Sequence, residues 1–599
     1  MYRMITDLAG LQQYLAYIGD RPCALDFETT SLRPSDGRVR LVSLYDGVEG
    51  AVVDFDAITG GFEGCALLFH QGEWIVFNSG FELRWFIAAG APDTNCRDVG
   101  FLRRAIVGGG QFSLKMVVKW DLDREMDKTE QASNWGDRYL TQSQLDYAYK
   151  DAVDTWDLYQ HWLDQADENH LRAWRMFDDM VPAVIEMEDT GMLVDIPRHR
   201  LMTVRWDRAQ DRLCSKVREV VSTDDVANIN SDAQWSDFFL KHLPDQVVTT
   251  WPRTEKSNLL SMQSKVLNNI AGQFVQAAGE NPLTTLLDCL RDYKRITKYI
   301  TSFGEPLITS ASKHGDSRVR CRFNIGAAKT CRFSSSGPNL QQIPRDLKLL
   351  GEDTSVRASF VAPHGSVLVS LDYSGIELRV LALLAEDQQL LEDVVYGDVH
   401  SEVAAVIAGQ AIDKSTPEGK AARTAAKGVS FGIIYGSAAA GLAVNMRTSS
   451  NKAQKYIDFW ADRYPRAFAY RSKIMAMVAD TGYIRCVDGG TIKMDKRKID
   501  LPKCANYPVQ RAALSVMAHA IARHKRSLDA ARARGEHTRT KLLSTIHDAL
   551  IDEALRDDAQ SCLEMMQQNM IDGYLDLFPG APSERLVEGG IGKSWATLE

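Results

Sequence analysis

Short, largely apolar segments separated by turn residues make up the opening part of the chain. PCALDFET at 22–29 therefore reads as a strand, and RVRLVSLYD and GAVVDFD follow as two strands joined like a hairpin through the turn at 47–50. From about residue 137 to 222 the apolar positions recur every three or four residues, which predicts helices. The chain thus opens as an α/β unit and turns helical, and Pro182 with GMLVDIP at 191–197 marks a domain boundary.

A second α/β unit is predicted in the C-terminal half. Residues 198–300 remain mostly helical, and strand-like alternation appears after them. The predicted strands lie at 317–323, 366–374 and 542–552, and the main helices between them lie at 417–435 and 452–479.

Composition narrows the class of protein. A length of 599 residues suits about three or four domains. With 45% hydrophobic and 25% charged residues, the chain is not disordered, collagen-like or a coiled coil. The sequence has no apolar run long enough to span a membrane and no signal-peptide pattern at its start, so we expect a soluble, cytoplasmic protein. The ten scattered cysteines form no CxxC pair and are predicted to be reduced core thiols.

Net charge excludes one class of nucleic-acid-binding protein. Seventy Lys and Arg against 79 Asp and Glu give −9, so the chain is not basic throughout, like a histone. A local basic cleft remains compatible with this charge. Residues 523–541 carry seven basic side chains against two acidic ones, and they form either a solvated helix face or a patch that faces phosphates.

The first candidate for chemistry is a set of carboxylates. Asp26 and Glu28 are two apart on a predicted strand, so their side chains share one face and can approach the same metal ion. A lone pair of this kind is more often a solvated strand end. Downstream lie Glu82 and then Tyr147 and Asp151, which are four residues apart and share one face of a predicted helix.

Four carboxylates and a tyrosine in this order resemble the DEDD exonucleases of the tyrosine subclass, which include the proofreading domains of DNA polymerases. The resemblance covers about residues 20–165 and implies an RNase H-like 3′-5′ exonuclease domain over 1–170. It implies that Tyr147 positions the attacking water and that two Mg²⁺ ions clamp the attacking and leaving oxygens. The implied ligands are Asp26, Glu28, Glu82 and Asp151. The family usually has aspartate where this chain has Glu82, and the added methylene moves that carboxylate.

A second set of candidates follows residue 366. Asp372 ends an apolar strand, and a turn and a helix with Glu377 come next, although a buried strand ending in aspartate is also a common cap. His547 and Asp548 lie at a predicted tight turn between two short strands, where a structural hydrogen-bonded pair is the simpler interpretation. Between these motifs a predicted helix carries two cations and then two aromatics, each four residues apart, as a gently turning stripe. They are Arg423, Lys427, Phe431 and Tyr435.

Such a stripe suits a ligand with a polyphosphate at one end and a stacking base at the other. DYSGIELR, the stripe with Gly436, and IHDA resemble motifs A, B and C of family A (polymerase I-like) DNA polymerases. TCRFSSSGPNLQQIP at 330–344, VIEMEDTGMLVD at 184–195 and NYPVQRAA at 506–513 fit the same family. The resemblance implies a right-hand polymerase domain. This domain is expected over 171–599. Its expected parts are a thumb at about 190–320, a palm at about 321–390 and 480–599, and fingers at about 391–479.

The resemblance also implies a role for each motif residue. Asp372, Asp548 and the backbone carbonyl of Tyr373 would hold two Mg²⁺ ions, for which Mn²⁺ can substitute, and Lys427 would protonate pyrophosphate. Nucleotide, primer and template would be contacted by Arg423, Lys427, His400, Phe431, Tyr435, Glu377, Arg332, Gln510 and His547. Phe431 would lie against the sugar, and Glu377 would exclude a ribose 2′-hydroxyl. Arg332 and Gln510 would read minor-groove acceptors. The implied partners are primer-template DNA and deoxynucleoside triphosphates, with no membrane and with any processivity factor or helicase undetermined.

Some residues depart from the family pattern, although none of them is a principal metal ligand. They are Gly375, Ala549, Arg511 and Cys331, the last two in place of glycines, and Pro502 in place of an arginine. The alternatives are a single-subunit RNA polymerase and a non-polymerising primer-template-binding protein that retains only exonuclease activity. Because the exonuclease pattern begins near residue 20, we expect no 5′-nuclease domain and a bacteriophage-type replicative or repair enzyme, in the host cytoplasm.

Overall fold

The computed structural model describes residues 2–278, 281–344, 355–413, 415–446 and 448–598. Its N-terminal unit is a mixed six-stranded sheet flanked by helices, as the sequence predicts. The strands are β1 (Arg3–Ile5), β2 (Pro22–Thr29), β3 (Val39–Tyr45), β4 (Gly50–Asp54), β5 (Glu73–Val76) and β6 (Asn95–Asp98). The helices are α1 (Leu8–Ile18), α2 (Ser79–Ala88), α3 (Val99–Val107), α4 (Leu114–Leu122) and α5 (Gln142–Leu163). The sheet order is β1-β4-β3-β2-β5-β6, with β2, β3 and β4 antiparallel and the other pairs parallel.

A helical region follows. Helices α6 (Glu168–Asp179) and α7 (Val181–Thr190) and strand β7 (Met192–Leu193) lead into α8 (Ile196–Arg218). Next come α9 (Asp232–His242), α10 (Asp245–Thr250), α11 (Ser264–Ala278), α12 (Pro282–Phe303) and α13 (Glu305–Ser312). Buried residues between Val217 and Tyr293 form a hydrophobic core separate from the main one, so the chain from 217 to 293 packs as a body of its own.

The C-terminal half contains the second α/β unit. It begins with β8 (Arg318–Val319), β9 (Arg322–Asn324), β10 (Ser334–Ser336), β11 (Ser366–Tyr373) and α14 (Ile376–Ala385). A helical insertion then comprises α15 (Gln388–Val395), α16 (Val399–Ala408), α17 (Pro417–Ile434), α18 (Ala439–Met446), α19 (Ser450–Arg463) and α20 (Pro465–Thr481). The chain returns through β12 (Tyr483–Arg485), β13 (Thr491–Lys493), α21 (Leu501–Ala533), β14 (Lys541–Ile546), β15 (Ala549–Leu555), α22 (Ala559–Leu577) and β16 (Val587–Gly592). The antiparallel sheet has the order β14-β15-β11-β16.

Two predicted elements are divided in the structure. The single strand expected at 317–323 is two short strands, because Val319 pairs with Met192 of β7 whereas Asn324 pairs with Ser334 of β10. The helix expected at 452–479 ends at Arg463 and restarts at Pro465, since proline disfavours a helical conformation in the residue before it.

The basic stretch at 523–541 is largely neutralised within the chain. Arg523 pairs with Asp576 at 2.5 Å, and Arg532 pairs with Glu186 at 2.5 Å. These pairs favour the solvated-face interpretation over a patch that faces phosphates. All ten cysteines are free thiols, and seven of them are buried. Among the described residues, no helix is long and apolar enough to cross a membrane.

Candidate active sites

Three carboxylates converge at the carboxyl end of β2. Asp26 and Glu28 face the same side of this strand, and Asp151 reaches them from α5, which packs across the sheet. One ligand oxygen from each lies within 4.8 Å of the others, a spacing at which they could hold one metal ion. The structure therefore brings together residues that are separated by more than 120 positions in the sequence.

Burial sets the electrostatics of this cluster. It raises the pKa of Asp26 well above its ordinary value and that of Glu28 to about 10, and the neighbouring carboxylates add to both shifts. The pKa of Asp151 is also raised by burial, although Lys128 opposes that shift. Close carboxylates resist ionising together unless a cation compensates them. An all-oxygen donor set of this kind fits a hard divalent cation.

Lys128 is a cation at this site that the sequence analysis missed. Its Nζ donates to Asp151 Oδ2 at 2.6 Å and to the hydroxyl of Tyr147 at 2.9 Å. Burial and the nearby carboxylates raise the pKa of Tyr147, so the phenol stays protonated. Lys128 lies in the irregular segment between α4 and α5, where no periodic pattern relates it to the carboxylates.

Glu82 lies outside the group of three. It is in the first turn of α2 with 3% of its surface exposed, and its Oε2 has no hydrogen-bond partner among the described residues. Burial, with a smaller contribution from Asp26, raises the pKa of Glu82 well above its ordinary value. Three of the four predicted carboxylates are therefore within ligand distance of one another, and the fourth is buried beside them.

The second site forms where β11 and β15 run side by side. Asp372 lies opposite Ala549, and the backbone N–H of Tyr373 donates to the carbonyl of Asp548 at 3.1 Å. This pairing brings the ends of two strands, 176 residues apart in sequence, to one edge of the sheet. Burial raises the pKa of Asp548, with smaller contributions from Asp372 and Glu377 and against the opposing effect of Arg332, to about 7.

The side chains beside these aspartates form a connected row. Gly375, with φ +60°, turns the chain from β11 into α14 and so places Glu377 in the first turn of that helix. The Glu377 carboxylate accepts hydrogen bonds from Arg332 on one oxygen and from the hydroxyl of Tyr435 on the other. One carboxylate thus joins the 330–344 segment to the end of α17.

The predicted stripe on α17 is present. The rings of Phe431 and Tyr435 lie 5.7 Å apart, and the ring of His400 lies 5.9 Å from that of Phe431. The ammonium of Lys427 lies 5.9 Å from the Phe431 ring centre. Arg423 Nε donates to Asp398 Oδ2 at 2.8 Å. The sequence analysis missed Asp398, although it stands two residues before His400, in the segment GDVH at 397–400.

His400 is neutral in this environment. Burial lowers its pKa to about 4, together with charge repulsion from Arg423 and Lys427. At neutral pH the imidazole is therefore an uncharged ring beside two cations.

The remaining predicted residues lie around the same edge. Gln510 on α21 accepts a hydrogen bond from the Thr330 hydroxyl at 3.2 Å. His547 is exposed in the turn between β14 and β15, with a left-handed φ of +57°. The phenol of Tyr373 is buried and donates to the carbonyl of Met570 at 2.6 Å, so its ring is anchored on α22.

Comparisons with known proteins match both the N-terminal and the C-terminal part of the chain. The sequence model for DNA polymerase family A matches residues 200–597, and the model for a 3′-5′ exonuclease matches residues 2–166. Among solved structures, the chain resembles the "POL domain of Pol1 from M. smegmatis complex with DNA primer-template and dNTP" at a TM-score of 0.77 and 21% identity. The similarity covers 99% of both chains.

Curated relatives share this similarity at lower coverage. DNA polymerase I of Pseudomonas aeruginosa is 31% identical over 46% of this chain and 30% of that protein. The thermostable DNA polymerase I of Thermus aquaticus is 28% identical over 73% of this chain and 49% of that protein, and the DNA polymerase I of Caldicellulosiruptor bescii is 27% identical over 65% and 44%. The matches thus span about a third to a half of these relatives.

Proposed function

This chain belongs to DNA polymerase family A, and from that premise we propose that it is a DNA-directed DNA polymerase with 3′-5′ proofreading activity. It adds deoxynucleotides to a primer 3′-hydroxyl as a template directs. The observation that carries the proposal is the convergence of Asp372 and Asp548 on neighbouring strands, beside a helix that presents two cations and then two aromatic rings.

At the polymerase site, Asp372, Asp548 and the carbonyl of Tyr373 are the proposed ligands of two Mg²⁺ ions, with Mn²⁺ as a substitute. The raised pKa of Asp548 supports this, because a buried carboxylate beside other carboxylates needs a cation to stay ionised. When bound, such ions activate the 3′-hydroxyl and neutralise the triphosphate.

The other residues of this site are proposed to bind and orient the substrates. Arg423 and Lys427 pair with the triphosphate, Lys427 gives a proton to the leaving pyrophosphate, and neutral His400 hydrogen-bonds on the same side. Phe431 lies against the sugar of the incoming nucleotide, and Tyr435 stacks near the templating base. Arg332 and Gln510 are assigned to minor-groove contacts, Glu377 to selection of the sugar, and His547 to substrate contact.

At the exonuclease site, Asp26, Glu28 and Asp151 are the proposed ligands of two Mg²⁺ ions, with Glu82 beside them. Tyr147 orients the attacking water through its hydroxyl, and Lys128 holds that hydroxyl in place. Removal of a mispaired primer end is the expected outcome.

Domain assignments follow the same proposal. We assign residues 1–170 to the exonuclease and 171–599 to the polymerase. The separate core of α8–α12 supports a thumb at about 190–320, and the helical insertion α15–α20 supports fingers at about 391–479. The four-stranded sheet with α21 and α22 supports the palm, at about 321–390 and 480–599. Primer-template DNA and deoxynucleoside triphosphates are the proposed partners, as in the similar mycobacterial complex, and the cytoplasm is the proposed location.

A 5′-labelled primer annealed to a longer template, incubated with Mg²⁺ with and without nucleotides, tests both activities. Extension with nucleotides and shortening without them are expected. Asp372→Ala should abolish extension and leave shortening and DNA binding intact. Asp26→Ala should abolish shortening and leave extension and DNA binding intact. Shortening without extension by the unmodified chain would instead support the non-polymerising alternative.

A further inference from the structure

A buried ion pair lies in the second α/β unit, close to α3 and α6. Arg511 of α21 and Asp488, in the turn between β12 and β13, have side chains 0% and 1% exposed, with Nε and Oδ2 2.5 Å apart. Asp488 also accepts hydrogen bonds from the Ser515 hydroxyl at 2.9 Å and the Gly490 N–H at 2.9 Å. Burial alone would lower the pKa of Arg511, but Asp488 raises it overall, so the guanidinium remains charged.

Cys331 also contacts the Arg511 guanidinium. Its thiol contacts Arg511 Nη1, and its backbone has a φ of +62°, a conformation that favours glycine. Both positions are glycine in the family pattern, so the two departures are in direct contact. The larger side chains occupy space that two glycines would leave between α21 and the 330–332 segment.

Three consecutive residues of the 330–332 segment contact two helices, α21 and α14. Thr330 donates to Gln510 of α21 at 3.2 Å, Cys331 contacts Arg511, and Arg332 pairs with Glu377 of α14. The proposed minor-groove residues Arg332 and Gln510 are therefore each one position away from the Cys331–Arg511 contact. Their placement depends on that contact, because neither neighbour can shift without moving the backbone that carries them.

The network extends to the N-terminal unit. Arg172 Nε donates to the backbone carbonyl of Asp488 at 3.3 Å, and the Thr491 hydroxyl donates to the carbonyl of Ile106. The Arg511 guanidinium also lies over the ring of Phe177, 4.9 Å from its centre. The ion pair is thus anchored from α3 and α6 as well as from the palm.

We propose that Arg511, held by Asp488 and Cys331, is a positioning residue that sets Arg332 and Gln510 against the primer terminus and thereby raises selectivity for correctly paired ends. The inference rests on the proposed function. Arg511 itself is fully buried and contacts no solvent, so it acts through its neighbours. A displacement of about 1 Å at a positioned group can lower a rate by about 100-fold, and only matched ends present acceptors where Arg332 and Gln510 reach them.

The test compares extension of matched and mispaired primers on an Asp26→Ala background, which removes shortening. The main variant is Arg511→Met with Asp488→Asn, because neutralising both partners leaves no unpaired buried charge. A second variant, Cys331→Gly, removes the thiol contact at a backbone conformation that glycine accepts without strain. The matched control is Arg318→Met with Glu553→Gln, another buried pair, which joins β8 to β15 at 2.6 Å.

We expect the main variant to lose about tenfold in kcat/KM on matched primers and much less on mispaired ones, so that the selectivity ratio falls by about tenfold. Cys331→Gly should lower the same ratio by about threefold, and the control pair should leave it unchanged. A main variant and a Cys331→Gly variant that both keep the selectivity of the control would overturn the proposal. If the main variant does not fold, Cys331→Gly alone decides the matter. Absence of extension by the Asp26→Ala parent would instead refute the proposed function.

Discussion

Replacing Lys128 by methionine isolates the electrostatics of the exonuclease site. Lys128 is the cation that contacts both Asp151 and Tyr147, and the paired side chains of Lys128 and Asp151 are only 17% and 9% exposed. Methionine keeps most of the volume and removes the charge. Asp151 then loses its cationic partner and remains buried beside Asp26 and Glu28.

The size of the effect follows from this burial. Removing one partner of a buried ion pair typically destabilises by about 3–5 kcal/mol, and the partial exposure of Lys128 favours a loss of about 3 kcal/mol. For a domain of this size, that corresponds to a fall in Tm of about 9 °C. The ammonium also competes with Mg²⁺ for an oxygen of Asp151, so Lys128→Met should tighten Mg²⁺ binding by about tenfold.

Thermal unfolding in a chelator and across a Mg²⁺ titration measures both quantities. We expect Lys128→Met to melt earlier than the unmodified chain in chelator and to recover about half of the difference in excess Mg²⁺, because tenfold tighter binding adds about 1.4 kcal/mol. Lys119→Met is the matched control, because Lys119 forms a surface pair with Glu125 whose side chains are 58% and 68% exposed. Surface pairs of this kind contribute little to stability, so the control should melt with the unmodified chain.

Two outcomes would refute this reasoning. One is a Lys128→Met variant that melts with Lys119→Met in chelator, which would mean that Lys128 does not compensate the carboxylates. The other is an unchanged half-saturating Mg²⁺ concentration, which would mean that the ammonium and the metal do not share Asp151.

Three further predictions concern the polymerase site. The pKa of Asp548 is about 7, so this ligand protonates as the pH falls below that value. The Mg²⁺ concentration needed for half-maximal extension should therefore rise by up to about tenfold per pH unit below 7, which Mg²⁺ titrations at several pH values would measure. Glu377→Ala should release Arg332 and Tyr435 and increase ribonucleotide incorporation. A variant that discriminates against ribonucleotides as strongly as the unmodified chain in competition assays would contradict this. Phe431 implies discrimination against dideoxynucleotides; Phe431→Tyr should relax it in chain-termination assays, and efficient dideoxynucleotide use by the unmodified chain would refute the assignment.

Local patterns carried much of the fold. Short apolar segments between turn residues predicted β2, β3 and β4, alternation predicted β11, and a period near 3.6 predicted α5 and α17. The stripe from Arg423 to Tyr435 was likewise predictable, since residues four apart on a helix lie on one face wherever that helix is placed. Family A membership, expected from these ordered motifs, is confirmed by the match over 200–597.

Tertiary structure decided which distant side chains meet. No spacing rule relates Lys128 to Asp151, Asp488 to Arg511 or Cys331 to Arg511, because those contacts depend on how loops and helices pack. The same applies to Glu82, whose place beside the three carboxylates depends on the packing of α2 against the sheet. The sequence by itself determined the element types, the family and the identity of most candidate residues, since these depend on local periodicity and ordered motifs. Only the three-dimensional packing determined their partners, their burial and hence their pKa values, because desolvation and charge pairing arise between segments far apart in the chain.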